Sequence, residues 1–334
     1  MLKWACCYGR RKPIIFITAM QKIIVKKENI GKRTDKFLKE EIFFSGGITR
    51  GEIVEKIKAG KILINNKQVK PSYALKEKDE IALGFNLEKK EGLKKNLDLK
   101  ISIIYQNENF IVLDKPDGIQ VHPDFHEKEK TLVNFLLVDF PEIEKVHDDS
   151  AGAEMRPGIV HRLDKETSGV MLVARNQKTF LELKRKFQTK EITKKYQAIV
   201  YGVPNPSEGI IEKPLARSAD YRKQVIAGRK TKTTIREAVT KYRTVKKISP
   251  DYALLELEPK TGRMHQLRVH LTSIGHPIVG DKKYYSKGLL RRNEIERQLL
   301  HAKNIEFELF GKGYEFEAPL PEDFEKCIKG IEIE

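Results

Sequence analysis

The residues best suited to chemistry stand in one run, RPGIVHRLDKETSGVMLVARN, where His161, Arg162, Asp164, Lys165, Thr167 and Ser168 directly precede an apolar stretch. A polar loop feeding a strand holds side chains at a fixed edge, and a carboxylate there can act as nucleophile or general base. The same residue types also build a surface turn, with Asp164 and Ser168 capping local amides. Other chemistries fit less well. Ser168 lacks the GxSxG elbow of a serine hydrolase, and His161 and Asp164 come without a positioned nucleophile, which leaves RNA hydrolysis by that pair as a rival. The eight histidines are scattered, and His265 and His270 miss the i, i+4 spacing of a helical metal pair. Cys6, Cys7 and Cys327 form neither a knuckle nor a disulfide framework, so no metal is expected and a reducing cytoplasm is. Without a Walker A or Rossmann glycine run, no nucleotide cofactor is expected either.

The elements that must position this run divide into two parts. At 334 residues, two domains are expected. The net charge of +17 is uneven: residues 1–100 carry 24 basic and 12 acidic side chains, residues 101–334 carry 40 and 35. A basic N-terminal third favours a polyanion, nucleic acid foremost. Residues 13–20, PIIFITAM, follow basic residues as a signal peptide would but are too short and lack a cleavage site, and no membrane span appears. Residues 1–30 are expected to be an extension, with 1–19 a disordered tail or a start-site artefact. Within 31–83, RTDKFLKEEIFF and RGEIVEKIKAG have helical spacing around a Gly-rich turn, with Ile53, Val54 and Ile57 forming an apolar stripe. A hairpin is expected around Asn65 and Asn66, then a turn at Pro71. Residues 84–98 lose periodicity and read as a linker. From 99 to 325 short β runs (110–114, 170–174, 196–202, 252–259) alternate irregularly with helical segments, the last of which, MHQLRVHLTSIG, places Met264, Leu267 and Leu271 on one stripe. The fold class is α+β, because the strands follow too closely for a helix at every crossover.

HRLDKETSG resembles the signature of the RluA family of pseudouridine synthases, and further runs match that family in order: VLDKPDGIQVHP, KKYQAIVYG, TGRMHQLRVHLTSIGHPIVGDKKY and LLHAKNIEFELFGKGYEFEAPLP. The resemblance spans about residues 30–322. Residues 31–83 likewise resemble an S4 domain, a small RNA-binding module, which agrees with the charge count. Met264 departs from the Thr or Ser frequent in the family, and 287–298 is longer and more charged than in its shortest members.

This resemblance implies a small S4-type domain followed by a mixed α+β catalytic domain with a largely antiparallel sheet, which isomerises uridine to pseudouridine in RNA without a cofactor. Asp164 would be the catalytic carboxylate, acting on sugar or base, with Arg263 as the cation that pairs with it and Tyr196 stacking under the uracil. Arg162 would fill the gap left by a flipped base. His161 and Arg268 are placed with the RNA-binding residues, as are Arg33, Thr49, Arg50, Lys56 and Lys61, whose side chains suit phosphate contacts. The expected partner is large-subunit ribosomal RNA or an assembly intermediate, met by a cytoplasmic monomer. The alternative is a non-catalytic S4-containing RNA-binding or ribosome-assembly factor.

Overall fold

The computed structural model describes residues 21–42, 50–84, 92–124, 126–150, 152–218, 223–229, 231–285 and 295–333. The chain divides into two compact units, Met1–Gly92 and Leu93–Glu334. In the first, β1 (Gln21–Ile24) pairs antiparallel with β3 (Glu80–Leu83), which also pairs with β2 (Ile62–Ile64), giving the order β1-β3-β2. Residues 21–30, expected to belong to an extension, are therefore part of this sheet and its first turn. Two helices precede β2: α1 (Thr34–Phe37), continued by a π-helical turn, and α2 (Arg50–Lys58). Ile53 and Ile57 bury one face of α2 against Phe37, Leu38, Ile62 and Ile81, as their i, i+4 spacing requires. Asn65 and Asn66 take φ of 50° and 60°, the left-handed pair of a two-residue hairpin turn. The Asn65 side chain donates to Asp79 and accepts from the Glu80 amide, so β2 continues into a pairing with β3.

Asp35 organises the cations of this unit. Its buried carboxylate takes two hydrogen bonds from Arg33 at 3.1 Å each and two from Arg50 at 3.0 and 2.7 Å. Burial would push that carboxyl up, but the two guanidiniums outweigh it and hold it below the usual range. Both arginines stay about half exposed. Lys56 sits on α2 and the exposed Lys61 precedes β2; Thr49 lies outside the described residues.

In the second unit, β4 (Ser102–Gln106), β5 (Phe110–Lys115), α3 (Leu132–Asp139), β6 (Ser168–Ala174), α4 (Gln177–Thr189), β7 (Thr193–Tyr201) and β8 (Glu208–Glu212) lead to a separate two-stranded ribbon, β9 (Leu215–Arg217) with β10 (Gln224–Ile226). Then come β11 (Val239–Ser249), β12 (Tyr252–Pro259), α5 (Gln266–Ser273), β13 (Leu300–Leu309), β14 (Lys312–Glu317) and α6 (Glu322–Ile333). The main sheet runs β4-β5-β6-β13-β7-β12-β11-β8, with β14 on β13; every pairing is antiparallel except β6 with β13. β5 and β6 are apolar on both faces because both are covered. Ile111, Leu113, Met171 and Val173 pack toward α3, and Phe110, Val112, Val170 and Leu172 toward α4. Farther along, α5 covers Ala198, Val200 and Leu255, while α6 covers Ile199 and Leu254 with Phe324, Cys327 and Ile331.

Two expected boundaries move. Residues 93–98 are not a free linker: Leu93 packs on the α3 core, the Asn96 amide donates to Asn134, and Asn134 returns a bond to the Lys94 carbonyl at 2.6 Å. The unit also continues past 325, since α6 supplies core residues. At the parallel pairing, Gly169 has φ +112°, and a Cβ there would lie 2.2 Å from the Ala302 carbonyl oxygen. Gly169→Ala is expected to cost at least about 2 kcal/mol, through strain and overlap together. Gly311→Ala, at φ +77° in open space, carries the strain alone and should cost less. Urea unfolding of the two variants checks this; equal midpoints would contradict it.

Candidate active site

Asp164 sits on the turn before β6, and the three residues after it are each tied down. Lys115, fully buried, donates to the carbonyls of Pro116, Ile119 and Lys165 at 2.7, 2.9 and 3.2 Å. Burial pushes that ammonium down to about 7. Arg297, itself held by Asp323, donates to the Glu166 carbonyl at 3.1 Å, and Gln298 donates to the Thr167 hydroxyl at 2.9 Å. Side chains from β5 and from the segment before β13 thus fix the turn that carries Asp164.

The cation that meets it is Arg268. Its Nη1 donates to Asp164 Oδ2 at 2.9 Å, while Nε and Nη2 form a fork on Asp281 at 2.7 and 2.9 Å. Asp281 is fully buried and also accepts the amides of Lys283 and Tyr284, so the guanidinium has little freedom. Arg263, expected as the partner, instead donates to the Glu237 carbonyl at 3.0 Å. The physical reason is the helix start: His265 takes a left-handed φ of 53°, α5 begins only at Gln266, and Met264 falls outside the helix, 37% exposed. Gln266 anchors that start by bonding Thr261, Thr240 and the Val239 carbonyl, which directs Arg268 inward and leaves Arg263 at the rim.

A second set of hydrogen bonds holds a histidine beside the same carboxylate. The Gln224 amide donates to the Tyr284 hydroxyl at 2.7 Å, and that hydroxyl is hydrogen-bonded to His265 Nδ1 at 2.8 Å. The His265 ring, pushed down to about 4 by burial despite the nearby Asp164, is neutral, and its Nε2 lies 3.8 Å from Asp164 Oδ2. Both approaches use Oδ2. Among the described residues Oδ1 takes no partner, and Asp164 borders a cavity of about 770 Å³.

Tyr196 borders that cavity too, with Ala198 and Val200 on the same face of β7 packed into the core beneath. Burial, and then the Asp164 charge, push its hydroxyl well above the usual tyrosine range, so it stays protonated at neutral pH. Arg162 is exposed at the rim, with one weak contact to His122 Nε2 at 3.4 Å. His161 stacks on Phe187 and accepts the Leu172 amide through Nε2 at 2.9 Å. Burial pushes it down to about 3, and with its lone pair occupied it cannot act as a base. This removes the basis for a hydrolase built on His161. Sequence reasoning missed Lys115, Asp281 and Tyr284; the signal for Asp281 was a lone arginine in the apolar helix QLRVHL, which needs a buried counter-charge.

A family model for RNA pseudouridylate synthase matches residues 109–273, and one for the S4 domain matches 45–81. An uncharacterized RNA pseudouridine synthase of Chlorobaculum parvum is 35% identical over 322 residues, covering 92% of this chain and 96% of that one. The chain belongs to the RNA pseudouridine synthase family. A ribosomal large subunit pseudouridine synthase D of Vibrio cholerae is 32% identical over 312 residues, covering 90% of this chain and 91% of its own. The solved structure of human RNA pseudouridylate synthase domain containing 4 superposes with a TM-score of 0.54 at 28% identity, over 69% of this chain and 92% of that one. The first unit is accordingly an S4 domain and the second a pseudouridine synthase domain with a mostly antiparallel sheet, so the enzyme is an RNA isomerase.

Arg268→Lys is expected to cut turnover on the order of 10²-fold, because an ammonium cannot hold Asp281 and Asp164 in one fixed geometry. Arg263→Lys should cost far less; steady-state kinetics on one RNA compares them. The neutral histidines also set a pH limit. His161, His265 and His301 are pushed by burial to about 3, 4 and 4, below their ordinary 6.5. Between pH 6.5 and about 4 the unfolded chain therefore binds more protons than the folded one, and stability present above 6.5 is lost on acidification. Thermal midpoints across that range should fall less steeply for His301→Gln than for the parent.

Proposed function

We propose that this enzyme isomerises specific uridines of large-subunit ribosomal RNA, with the Asp164 carboxylate as its catalytic group and the target nucleotide flipped into the cavity. The observation that carries the reading is the one-sided engagement of Asp164: Arg268 and His265 both address Oδ2, which leaves Oδ1 open in a cavity large enough for a nucleoside. In the reaction the C1′–N1 bond breaks, the uracil turns, and C1′ bonds to C5, which gives up its proton while N1 gains one. No redox change occurs and no water is consumed. Oδ1 supplies the carboxylate at the sugar, with Arg268 fixing its direction.

Tyr196 gives the base a platform. Because its hydroxyl stays protonated, its contribution is stacking and hydrogen-bond donation rather than a phenolate. Arg162, held at the rim by one weak contact, is placed to enter the stack that the uridine leaves. In the S4 domain, Arg33 and Arg50 are oriented by Asp35 and stay about half exposed, an arrangement suited to phosphates and blind to sequence. The ribosomal substrate is supported by the Vibrio cholerae relative and its full-length match.

Pseudouridines mapped across ribosomal and transfer RNA, in cells lacking the gene and in cells restored with parent or Asp164→Asn copies, test this. Sites in large-subunit RNA should vanish and return only with the parent, while Asp164→Asn binds RNA nearly as well. Turnover by Asp164→Asn near the parent's level would overturn the catalytic reading, and sites confined to transfer RNA would overturn the substrate.

A further inference from the structure

The cavity lining contains a cation that the reading above does not use. Lys194 on β7 borders the cavity two residues before Tyr196, so both side chains leave the same face of the strand, about 7 Å apart along it. Its Nζ lies 5.3 Å from the centre of the Phe187 ring, on whose surface His161 stacks at 4.7 Å. Neighbouring cations are neutralised: Lys184 pairs with Asp148, and Lys186 with Glu191 at 2.9 Å. Among the described residues Lys194 meets no carboxylate, and burial alone lowers its pKa. A cation withdrawn from water without an anion is costly. His161 adds a second donor, since a neutral ring that accepts at Nε2 carries its proton on Nδ1.

The charge around Arg268 bears on which ligand completes this site. Arg268 is already matched by two carboxylates, Asp164 and Asp281, so its own charge is compensated and offers a phosphate little net attraction. A nucleotide whose sugar approaches Asp164 and whose base rests on Tyr196 needs a cation for its phosphate elsewhere, and Lys194 lies one strand repeat from Tyr196. We infer that Lys194, with the Nδ1–H of His161 bordering the same Phe187 ring, forms a subsite for a single backbone phosphate of RNA, the one flanking the flipped uridine. The inference rests on the catalytic reading of the cavity. As a point charge, the ammonium fixes the nucleotide's position without reading its base. Lys194 is thus a binding residue whose role is to orient the nucleotide toward Asp164.

The test measures how binding of large-subunit ribosomal RNA, purified from cells lacking the gene, falls with salt, by filter retention of the full-length parent, Lys194→Met and Lys194→Arg. Each phosphate contact contributes about 0.7 to the slope of log affinity against log salt on single strands. Lys194→Met should flatten the slope by about that amount, Lys194→Arg should restore it, and the thermal midpoint of RNA-free Lys194→Met should equal or exceed the parent's. An unchanged slope would overturn the subsite, as would a flattened slope that comes with a lower midpoint and no rescue by arginine. Turnover by Asp164→Asn would sink the catalytic reading without altering the slope, so the two failures are separable.

Discussion

The site depends on a guanidinium that is already occupied before it meets the Asp164 turn. Asp281 holds two nitrogens of Arg268 in a fork and is itself fixed by two backbone amides, so the third nitrogen reaches Asp164 in one direction only. Losing one partner of such a buried pair strands a charge, at a cost of about 3–5 kcal/mol. That cost ties the loop after α5 to the start of β6 more firmly than packing alone. The Tyr284 ring beneath the guanidinium, 5.1 Å from its centre, contributes to both arms, because its hydroxyl also bonds His265.

The sheet meets this constraint from the other side. β6 and β13 lie parallel and so close that only glycine fits at 169, and the segment leading into β13 brings Arg297 and Gln298 against Glu166 and Thr167. With Lys115 on Lys165, three consecutive residues after Asp164 are held by two distant parts of the chain, β5 and the segment before β13. The carboxylate is placed by backbone anchoring and aimed by Arg268. The cavity around it also holds, near Phe187, an ammonium that meets no carboxylate among the described residues.

Much of this was legible in the residues. The continuous apolar runs 110–114 and 170–174 are strands covered on both faces, and Ile53 with Ile57 made the buried stripe of α2. The turn bearing Asp164 could be read from a polar cluster before an apolar run. Arg263 rather than Arg268 was expected from the family resemblance, and the residues could not correct it, because the inward aim of Arg268 depends on one left-handed residue, His265, that delays the helix by two positions. Periodicity placed Met264 on a helical stripe that it never joins. The linker boundary at 98 failed for a similar reason: Asn96 and Lys94 dock through backbone bonds to Asn134 and Leu93 by a single apolar contact, and neither leaves a repeating pattern.

The parallel contact of β6 with β13 also has a meaning in time. Asp164 and Arg268 are 104 residues apart, and Ser168 and its hydrogen-bond partner His301 are 133 apart. During synthesis at roughly 5–20 residues per second, the basic S4 residues leave the ribosome many seconds before the last anchor of the Asp164 turn exists. The S4 unit is thus synthesised in full well before the segment at 297–302 that anchors the Asp164 turn can pair beside Gly169.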